Sequence, residues 1–237
     1  MGWMINGWQK ETIRGGQGPT TNSIIRYNKL VDTCKGIPGD PTASARCTAP
    51  IAMWSNTVNG IKIYGNLIFS SANYPGDPAG GVGNSNGCIF LGESNPPPAA
   101  NNSEIYNNTI VCQHGISCVV GFPCGGSGNK AFNNAWYNVN AQSVGRAGAV
   151  PSVCSNNSVM SSGSQFVNPV IAYPAAGFDY HLAAATAAGI ALTAPYNQDM
   201  DGLTRGVDGT WDLGAYEFGG SVPIAVAPMA PRGLRFQ

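Results

Sequence analysis

Apolar and polar residues alternate in a short phrase that recurs five times along the chain, each time around an asparagine. The five phrases are Ile25–Val31, Ile63–Phe69, Ile105–Val111, Ala131–Tyr137 and, more loosely, Cys154–Met160. A few residues with strand-like alternation precede and follow each asparagine, so the phrase predicts two short β-strands joined at a hinge. The hinge residues are Asn28, Asn66, Asn108, Asn134 and Asn157.

The spacing of the hinges predicts a solenoid. Successive hinges are 38, 42, 26 and 23 residues apart. The two shorter intervals match one coil of stacked strands. The two longer ones match a coil plus an insertion, which adds little closure entropy. The insertions fall at Cys34–Pro50 and at Asn73–Asn86, the second followed by Pro96–Pro98.

Two columns of the repeated phrase are apolar and are predicted to face the core. The column three positions before the hinge contains Ile25, Ile63, Ile105 and Ala131. The column two positions after it contains Leu30, Ile68, Ile110, Trp136 and Val159. Because side chains alternate along a strand, the columns four and two positions before the hinge are predicted to point outward.

These patterns predict an all-β chain whose residues 23–177 form a right-handed parallel β-helix. Asparagine tolerates the left-handed backbone of a sharp corner, and stacked asparagine side chains can bond to each other along the axis. A further strand in each coil is expected in Gly87–Gly92 and Gly115–Gly121. An antiparallel sandwich is the weaker alternative, since it would need hairpin turns at regular short intervals.

From Phe178 onward the hinge phrase is replaced by other motifs. They are Phe178–Leu182, an alanine-rich stretch to Leu192, Asp199–Arg205 and Trp211–Phe218. This succession resembles the end of bacterial extracellular right-handed β-helix proteins with a choice-of-anchor tail. Those proteins carry D-Y-x-L, D-x-D-G-x-x-R and D-x-G-A-Y-E phrases. The resemblance implies a pectin-lyase-like fold and a secreted or surface location, without a single activity. Thr186–Leu192 lacks the proline and aspartate usual in that family, so its turn is expected to differ.

The chain is accordingly divided into four parts. Residues 1–22 are expected to be a truncated first coil, and residues 178–218 a C-terminal cap over the open strand edge. Residues 219–237 contain Pro223, Pro228 and Pro231, which is typical of a linker, here toward a further module or anchor.

Composition and charge indicate the cellular compartment of the protein and argue against some classes of partner. Seven cysteines without a C-x-x-C pair favour disulfides and an oxidising compartment, with one thiol left over. Their use as small buried apolar residues is the alternative. Twelve basic and twelve acidic residues, without a basic run, argue against a nucleic-acid partner. No stretch of the sequence is apolar enough to cross a bilayer.

The outward columns supply the candidate site. Lys62, Glu104 and Lys130 are predicted to stack in register. Beside them, Arg26 precedes an aromatic stripe of Tyr64, Tyr106 and Phe132. Aromatic faces flanked by charged donors suit a sugar chain, which predicts a polysaccharide or cell-surface glycan as partner. The alternative is structural, since alternating charges neutralise each other and stacked rings stabilise neighbouring strands.

The sequence supports catalysis less strongly than it supports binding. Glycoside hydrolysis needs a pair of carboxyl groups, whereas Glu104 is alone on the predicted face. β-Elimination on a uronic acid polymer needs a base and a group that neutralises the carboxylate. Lys62, Lys130 and Arg26 are the candidates, and Tyr106 is an additional one.

No cofactor is required by this pattern. Ca²⁺ is the candidate ion, at Asp199 and Asp201, although a salt bridge to Arg205 is the favoured use of that loop. Cys112 and His114 resemble a nucleophile pair, but nearby cysteines favour a disulfide instead.

Two functions remain open at this point. The first is a secreted β-helix that binds an acidic polysaccharide, with or without cleavage by β-elimination. The second is a non-catalytic structural or adhesive stalk on the cell surface.

Overall fold

A computed structural model describes eleven stretches of the chain. They are residues 11–15, 19–31, 49–53, 57–70, 89–91, 100–112, 120–121, 127–137, 153–160, 162–172 and 176–219. These residues are strand-rich and contain no α-helix, only a 3₁₀ turn at Gly163–Gln165. Within these stretches, no helix combines the length and the hydropathy that a membrane crossing requires.

The strands are short and numerous. In chain order they are β1 (Glu11–Gly15), β2 (Thr20–Thr21), β3 (Ile24–Arg26), β4 (Lys29–Val31), β5 (Ala49–Met53), β6 (Val58–Asn59), β7 (Lys62–Tyr64), β8 (Leu67–Ser70), β9 (Ile89–Leu91), β10 (Ala100–Asn101), β11 (Glu104–Tyr106), β12 (Thr109–Cys112), β13 (Val120–Gly121), β14 (Lys130–Phe132), β15 (Ala135–Tyr137), β16 (Val153–Ser155), β17 (Ser158–Met160), β18 (Phe166–Asn168) and β19 (Asp179–Leu182).

Four of the sheets are parallel, and each takes one strand from successive repeats. Their orders are β1-β5-β9-β13, β2-β6-β10, β3-β7-β11-β14-β16 and β4-β8-β12-β15-β17. The last two sheets hold the strands before and after the hinge, and equivalent positions of the phrase are paired: Ile63 lies opposite both Ile25 and Ile105. The all-β class, the parallel pairing and the hinged strands are therefore confirmed. Strands β18 and β19 form a separate antiparallel pair.

Both predicted apolar columns contribute to one buried cluster. Ile63, Ile105, Ile68 and Ile110 are completely buried there, together with residues of β5 and β9 such as Ile51. In a parallel sheet, the same position of successive repeats lies on adjacent strands, one above the other. The apolar residues of each column therefore form a continuous row. The core prediction is confirmed for the column members whose side chains are described.

The backbone at the hinge differs from the prediction in one respect. In each repeat, the residue before the hinge asparagine adopts the left-handed conformation. Its residue type differs between repeats. These residues are Tyr27, Gly65, Asn107, Asn133 and Asn156, with φ between 51° and 63°. The prediction that the hinge asparagine itself adopts the left-handed conformation was therefore wrong. The hinge asparagine instead bonds through its side chain to the neighbouring repeat.

The hinge asparagines form a ladder of side-chain hydrogen bonds. Each Nδ2 donates to Oδ1 of the asparagine in the next repeat: Asn28 to Asn66 at 3.0 Å, Asn66 to Asn108 at 2.9 Å, Asn108 to Asn134 at 2.9 Å and Asn134 to Asn157 at 2.8 Å. The backbone N–H of each donor residue bonds to the same oxygen. The predicted stacking of asparagine side chains is thus confirmed, and it satisfies polar groups that the tight corner buries.

The C-terminal segment, residues 176–219, lies along the side of the repeats. Left-handed asparagines hold it, since Asn107, Asn133 and Asn156 donate Nδ2 to the carbonyls of Tyr196, Ile190 and Ala188. At the first repeat, the Lys29 ammonium lies 4.9 Å from the centre of the Phe178 ring.

The segment covers one outer face of the repeats, and its role as a cap over the strand edge stays a prediction. The outer face of the sheet β4-β8-β12-β15-β17 carries apolar residues, and the segment packs Tyr180, Leu213 and Tyr216 into one buried cluster with Phe69 and Val111. Covering that face removes apolar surface from water, which accounts for the location.

Several predictions concern residues outside the described ones. They are the pairing of the cysteines, the insertions within 32–48 and 71–88, the Cys112–His114 phrase, residues 1–10, and the linker beyond residue 219. The boundaries of the four predicted parts also stay predictions.

Candidate functional site

The predicted charge row exists and forms ion pairs. Glu104 on β11 lies in register with Lys62 on β7 and Lys130 on β14. Its carboxylate is 3.4 Å from the Lys62 ammonium and 3.8 Å from that of Lys130. The lysine side chains remain 38% and 45% exposed, against 19% for Glu104. The row therefore presents two solvent-accessible cations that share one carboxylate, as the register argument predicted.

The aromatic column also forms, two residues further along the same strands. Tyr106 lies opposite Tyr64 on one side and Phe132 on the other. The Tyr106 and Phe132 rings stack with centroids 5.3 Å apart and planes 7° apart. At the first repeat, Arg26 donates from Nη1 to the Tyr64 hydroxyl at 3.1 Å.

This column is not an open stripe, which corrects the expectation of an exposed aromatic surface. Tyr64 and Tyr106 are 1% and 3% exposed, respectively. The ring of Tyr196 stands edge-on against both, 4.8 Å from each centroid. The Tyr196 hydroxyl also bonds to Glu104. Tyr196, 92 positions after Glu104 in the chain, thus occupies the space predicted for a sugar ring.

Two tyrosines of this group, Tyr106 and Tyr196, have raised pKa values. Burial raises the pKa of Tyr106 well above its ordinary value, and the negative charge of Glu104 raises it further. Burial likewise raises the pKa of Tyr196, helped by its hydrogen bond to Glu104. Of the sequence candidates for proton transfer, Lys62, Lys130 and Arg26 are the groups that solvent reaches, whereas Tyr106 is buried.

In the loop predicted to bind calcium, the first aspartate, Asp199, accepts hydrogen bonds from backbone N–H groups of the protein. Asp199 is buried, and its carboxylate accepts N–H bonds from Asp201 at 2.9 Å, Leu203 at 2.8 Å and Glu217 at 3.1 Å. Asp201 is half-exposed and accepts from His181 Nε2 at 2.6 Å. Among the described residues, no three His, Cys, Asp or Glu side chains converge in a way that would hold a metal ion.

The favoured salt bridge at this loop involves a different acid. Arg205 is buried, and its Nη1 lies 3.3 Å from Oε2 of Glu217, while its guanidinium also donates to the carbonyls of Asp212 at 3.1 Å and Gly214 at 2.8 Å. Among the described residues, the acid that pairs with Arg205 is thus Glu217 of the closing phrase and not an aspartate of the loop, as had been predicted. The closing Trp211–Phe218 phrase folds back over Arg205, which brings Glu217 to it. Burial raises the pKa of Glu217, although the Gly206 N–H and the Arg205 charge act in the opposite direction.

One polar cluster was missed by the sequence analysis. His181 bonds through Nδ1 to Asp179 and through Nε2 to Asp201, and its ring lies 4.0 Å from that of Tyr216. The D-x-H spacing was an available signal, because residues two apart on a strand share a face. Asp201 could not be foreseen, since it arrives from another loop.

The protonation of this cluster follows from its geometry. A carboxylate only accepts hydrogen bonds, so both ring nitrogens of His181 must donate, as in the imidazolium ion. Burial lowers the pKa of His181, but its hydrogen bonds to Asp179 and Asp201 outweigh burial and hold that pKa above its ordinary value. The cluster therefore links β19 to the Asp199–Arg205 loop through the hydrogen bonds of His181, which stabilises their contact.

No family model matches this chain, and neither the curated proteins nor the solved structures contain a match to it.

Proposed function

We propose that this chain is a non-catalytic structural or adhesive stalk of a secreted or cell-surface protein, built as a right-handed parallel β-helix. Successive repeats pair in parallel and in the same order, which supports a helix of stacked coils. The hand follows from the rule that crossover connections between parallel strands are right-handed in about 98% of cases. The C-terminal phrases that resemble bacterial choice-of-anchor proteins, and the seven cysteines, support the location.

The observation that carries the proposal is the way Tyr196 covers the candidate ligand face. Its ring fills the space above Tyr64 and Tyr106, and its hydroxyl bonds to Glu104. A binding face built from these rings would need that space for a sugar. The same contacts stabilise the attachment of the C-terminal segment, as a rigid stalk requires.

The asparagine ladder is the second support. Asn66, Asn108 and Asn134 are fully buried, and each bonds to its counterparts in the neighbouring repeats. Buried polar networks of this kind resist local opening, because separating two repeats would leave amide groups without partners. A rod held together in this way suits a spacer or an adhesive shaft.

The test is a search for turnover combined with a measurement of shape. The protein is incubated with pectate, alginate and hyaluronate, with and without added Ca²⁺, and the absorbance of unsaturated uronate products is followed. We expect no product, together with an elongated particle in small-angle X-ray scattering. Product formation that Lys62→Ala abolishes and Lys29→Ala leaves intact would overturn the proposal, since Lys29 is an exposed lysine outside the charge row.

A second candidate, binding of an acidic polysaccharide, is favoured by the exposed cations. Lys62 and Lys130 each keep more than a third of the side chain in solvent, and Arg26 is exposed on the same sheet. These groups can meet carboxylates of an anionic chain without displacing Tyr196.

Retention on immobilised pectate distinguishes this candidate from the stalk. Loss of retention in Lys62→Ala/Lys130→Ala, with retention kept in Lys29→Ala, would support it. Equal behaviour of the two variants would refute it. Substituting Tyr64 or Tyr106 is a poor test, because both rings are buried and their loss would destabilise the fold.

The secreted location has its own test. Alkylation of the unfolded protein with and without prior reduction, followed by intact mass measurement, counts the cysteines that are paired. We expect most of the seven cysteines to be protected before reduction. Seven reactive thiols in protein taken from its native compartment would contradict the oxidising location.

A further inference from the structure

The charge row has the order cation, anion, cation on three consecutive strands. Lys62 lies on β7, Glu104 on β11 and Lys130 on β14, at paired positions of one parallel sheet. Neighbouring strands are about 4.8 Å apart, so the backbones that carry the two cations are separated by about 9.6 Å along the stacking direction. A single carboxylate lies at the level midway between them.

In this column the charges are confined to those three strands. The equivalent position is Ile24 in the repeat before Lys62 and Val153 in the repeat after Lys130. Neither of these residues is charged, so the pattern covers three strand positions. The pattern is also symmetric about Glu104. A ligand that runs along the stacking direction therefore meets the same order of charges from either end.

Solvent reaches all three charged groups, and contacts within the protein hold them in place. The side chains of Lys62 and Lys130 are 38% and 45% exposed, and that of Glu104 is 19% exposed. The Glu104 carboxylate pairs with both ammonium groups and accepts the Tyr196 hydroxyl. The Lys62 ammonium also lies 5.5 Å from the centre of the Tyr196 ring. These contacts restrict the side chains before a ligand arrives, which reduces the entropy lost on binding.

An acidic polysaccharide that lies along the row would meet attraction and repulsion in alternation. One pyranose ring of an extended chain is roughly as long as one strand spacing, so three successive sugars span the row. A carboxylate at the level of either lysine is attracted, whereas a carboxylate at the level of Glu104 is repelled. A neutral sugar suits the middle position, because its hydroxyl or amide N–H groups can donate to the Glu104 carboxylate.

We propose that the charge row binds an acidic polysaccharide in which a sugar with a carboxylate alternates with a neutral sugar, as in hyaluronate. A homopolymer of a uronic acid carries a carboxylate on every sugar, so one of any three successive carboxylates falls at the level of Glu104. Glu104 is therefore the residue that selects between the two kinds of polymer. The proposal rests on the second candidate function, binding of an acidic polysaccharide, and adds the order of charges along the ligand.

The test compares end-labelled hexasaccharides of hyaluronate and of polygalacturonate by fluorescence anisotropy with the full chain. The measurement is made at low ionic strength, where exposed charges are least screened. The galacturonate hexasaccharide carries twice as many carboxylates, so attraction by the lysines alone would favour it. We expect the opposite order, with the hyaluronate hexasaccharide bound about two- to fivefold more tightly.

The possible results separate this proposal from the functions on which it builds. Equal affinity, or tighter binding of the galacturonate hexasaccharide, would overturn the alternating order of charges and leave the second candidate function intact. Binding of neither hexasaccharide would overturn both, and the non-catalytic stalk would stand alone.

Glu104→Gln isolates the selecting charge. Glutamine keeps an oxygen that can accept the Tyr196 hydroxyl, but it no longer repels a carboxylate. The affinity for the galacturonate hexasaccharide should rise about two- to fivefold, and the preference for hyaluronate should disappear. Asp208→Ser is the matched control, because it removes the same charge from an exposed position on the C-terminal segment. An unchanged preference in Glu104→Gln, or an equal loss of preference in Asp208→Ser, would refute the role of Glu104.

Discussion

Replacing Asn108 by alanine tests the asparagine ladder at its centre. Asn108 is fully buried and makes side-chain hydrogen bonds in both directions. Its Oδ1 accepts the backbone N–H of Asn66 at 3.1 Å and Nδ2 of Asn66 at 2.9 Å. Its Nδ2 donates to the Ile63 carbonyl at 3.0 Å and to Asn134 Oδ1 at 2.9 Å. Asn108→Ala removes all of these bonds at once.

The size of the effect follows from what is left behind. Water cannot easily reach the amide groups of Asn66, which is itself fully buried. Each buried polar group that loses its partner costs about 1–3 kcal/mol. With the Asn66 amides and the Ile63 carbonyl affected, Asn108→Ala should lower the free energy of unfolding by about 3 kcal/mol or more.

Asn28→Ala is the matched control at the end of the ladder. Asn28 donates Nδ2 to Asn66 and to the Arg26 carbonyl, but it is partly exposed, so water can replace the lost bonds. Its loss should cost about 1 kcal/mol or less.

Urea unfolding of both variants, followed by circular dichroism and extrapolated with a common slope, measures the two costs. Equal costs for Asn28→Ala and Asn108→Ala would refute the reasoning, since the ladder would then add nothing beyond an ordinary surface hydrogen bond.

Three further predictions concern the C-terminal segment. Arg205→Met leaves Glu217 buried without its cation, so denaturant unfolding should show a loss of about 3–5 kcal/mol, and Glu217→Gln in the same background should recover part of it. The folded-state pKa of His181 lies above its unfolded value, so its stabilising contribution is complete below about pH 6.5 and disappears as the pH rises through the raised pKa. Melting temperatures should therefore fall over that range in the wild type and change less in His181→Asn. Gly214 has φ of 92° and an added Cβ would lie 2.5 Å from a threonine hydroxyl, whereas Gly202 has φ of 86° and open space, so Gly214→Ala should lower the melting temperature more than Gly202→Ala. Equal shifts of the two glycine variants would contradict the close approach.

The covering of the aromatic column changes which experiments are informative. Tyr64 and Tyr106 resembled ligand-binding residues in the sequence, but they stabilise the fold as partners of Tyr196. Functional variants should therefore be made at the exposed cations Arg26, Lys62 and Lys130. Their side chains can be shortened without opening the core.

The repeated phrase determined the parallel pairing, the register and the buried columns. Ile63, Asn66 and Ile68 take their places because parallel strands set identical positions of successive repeats one above another, so a periodic sequence specifies a periodic structure. The ion pairs of Glu104 follow from the same register. These features depend on local spacing, which a single sequence displays.

Only the tertiary structure decided what lies against the outside of the repeats. Tyr196 over Tyr106, Glu217 on Arg205 and Asp201 on His181 join residues that the phrase does not relate by any period. Such contacts arise because the irregular C-terminal segment must bury apolar surface and satisfy its polar groups wherever the sheets offer partners. The inward-facing columns could therefore be predicted from the sequence. The exposure of the outward-facing columns depended instead on the C-terminal segment, which contains no repeat.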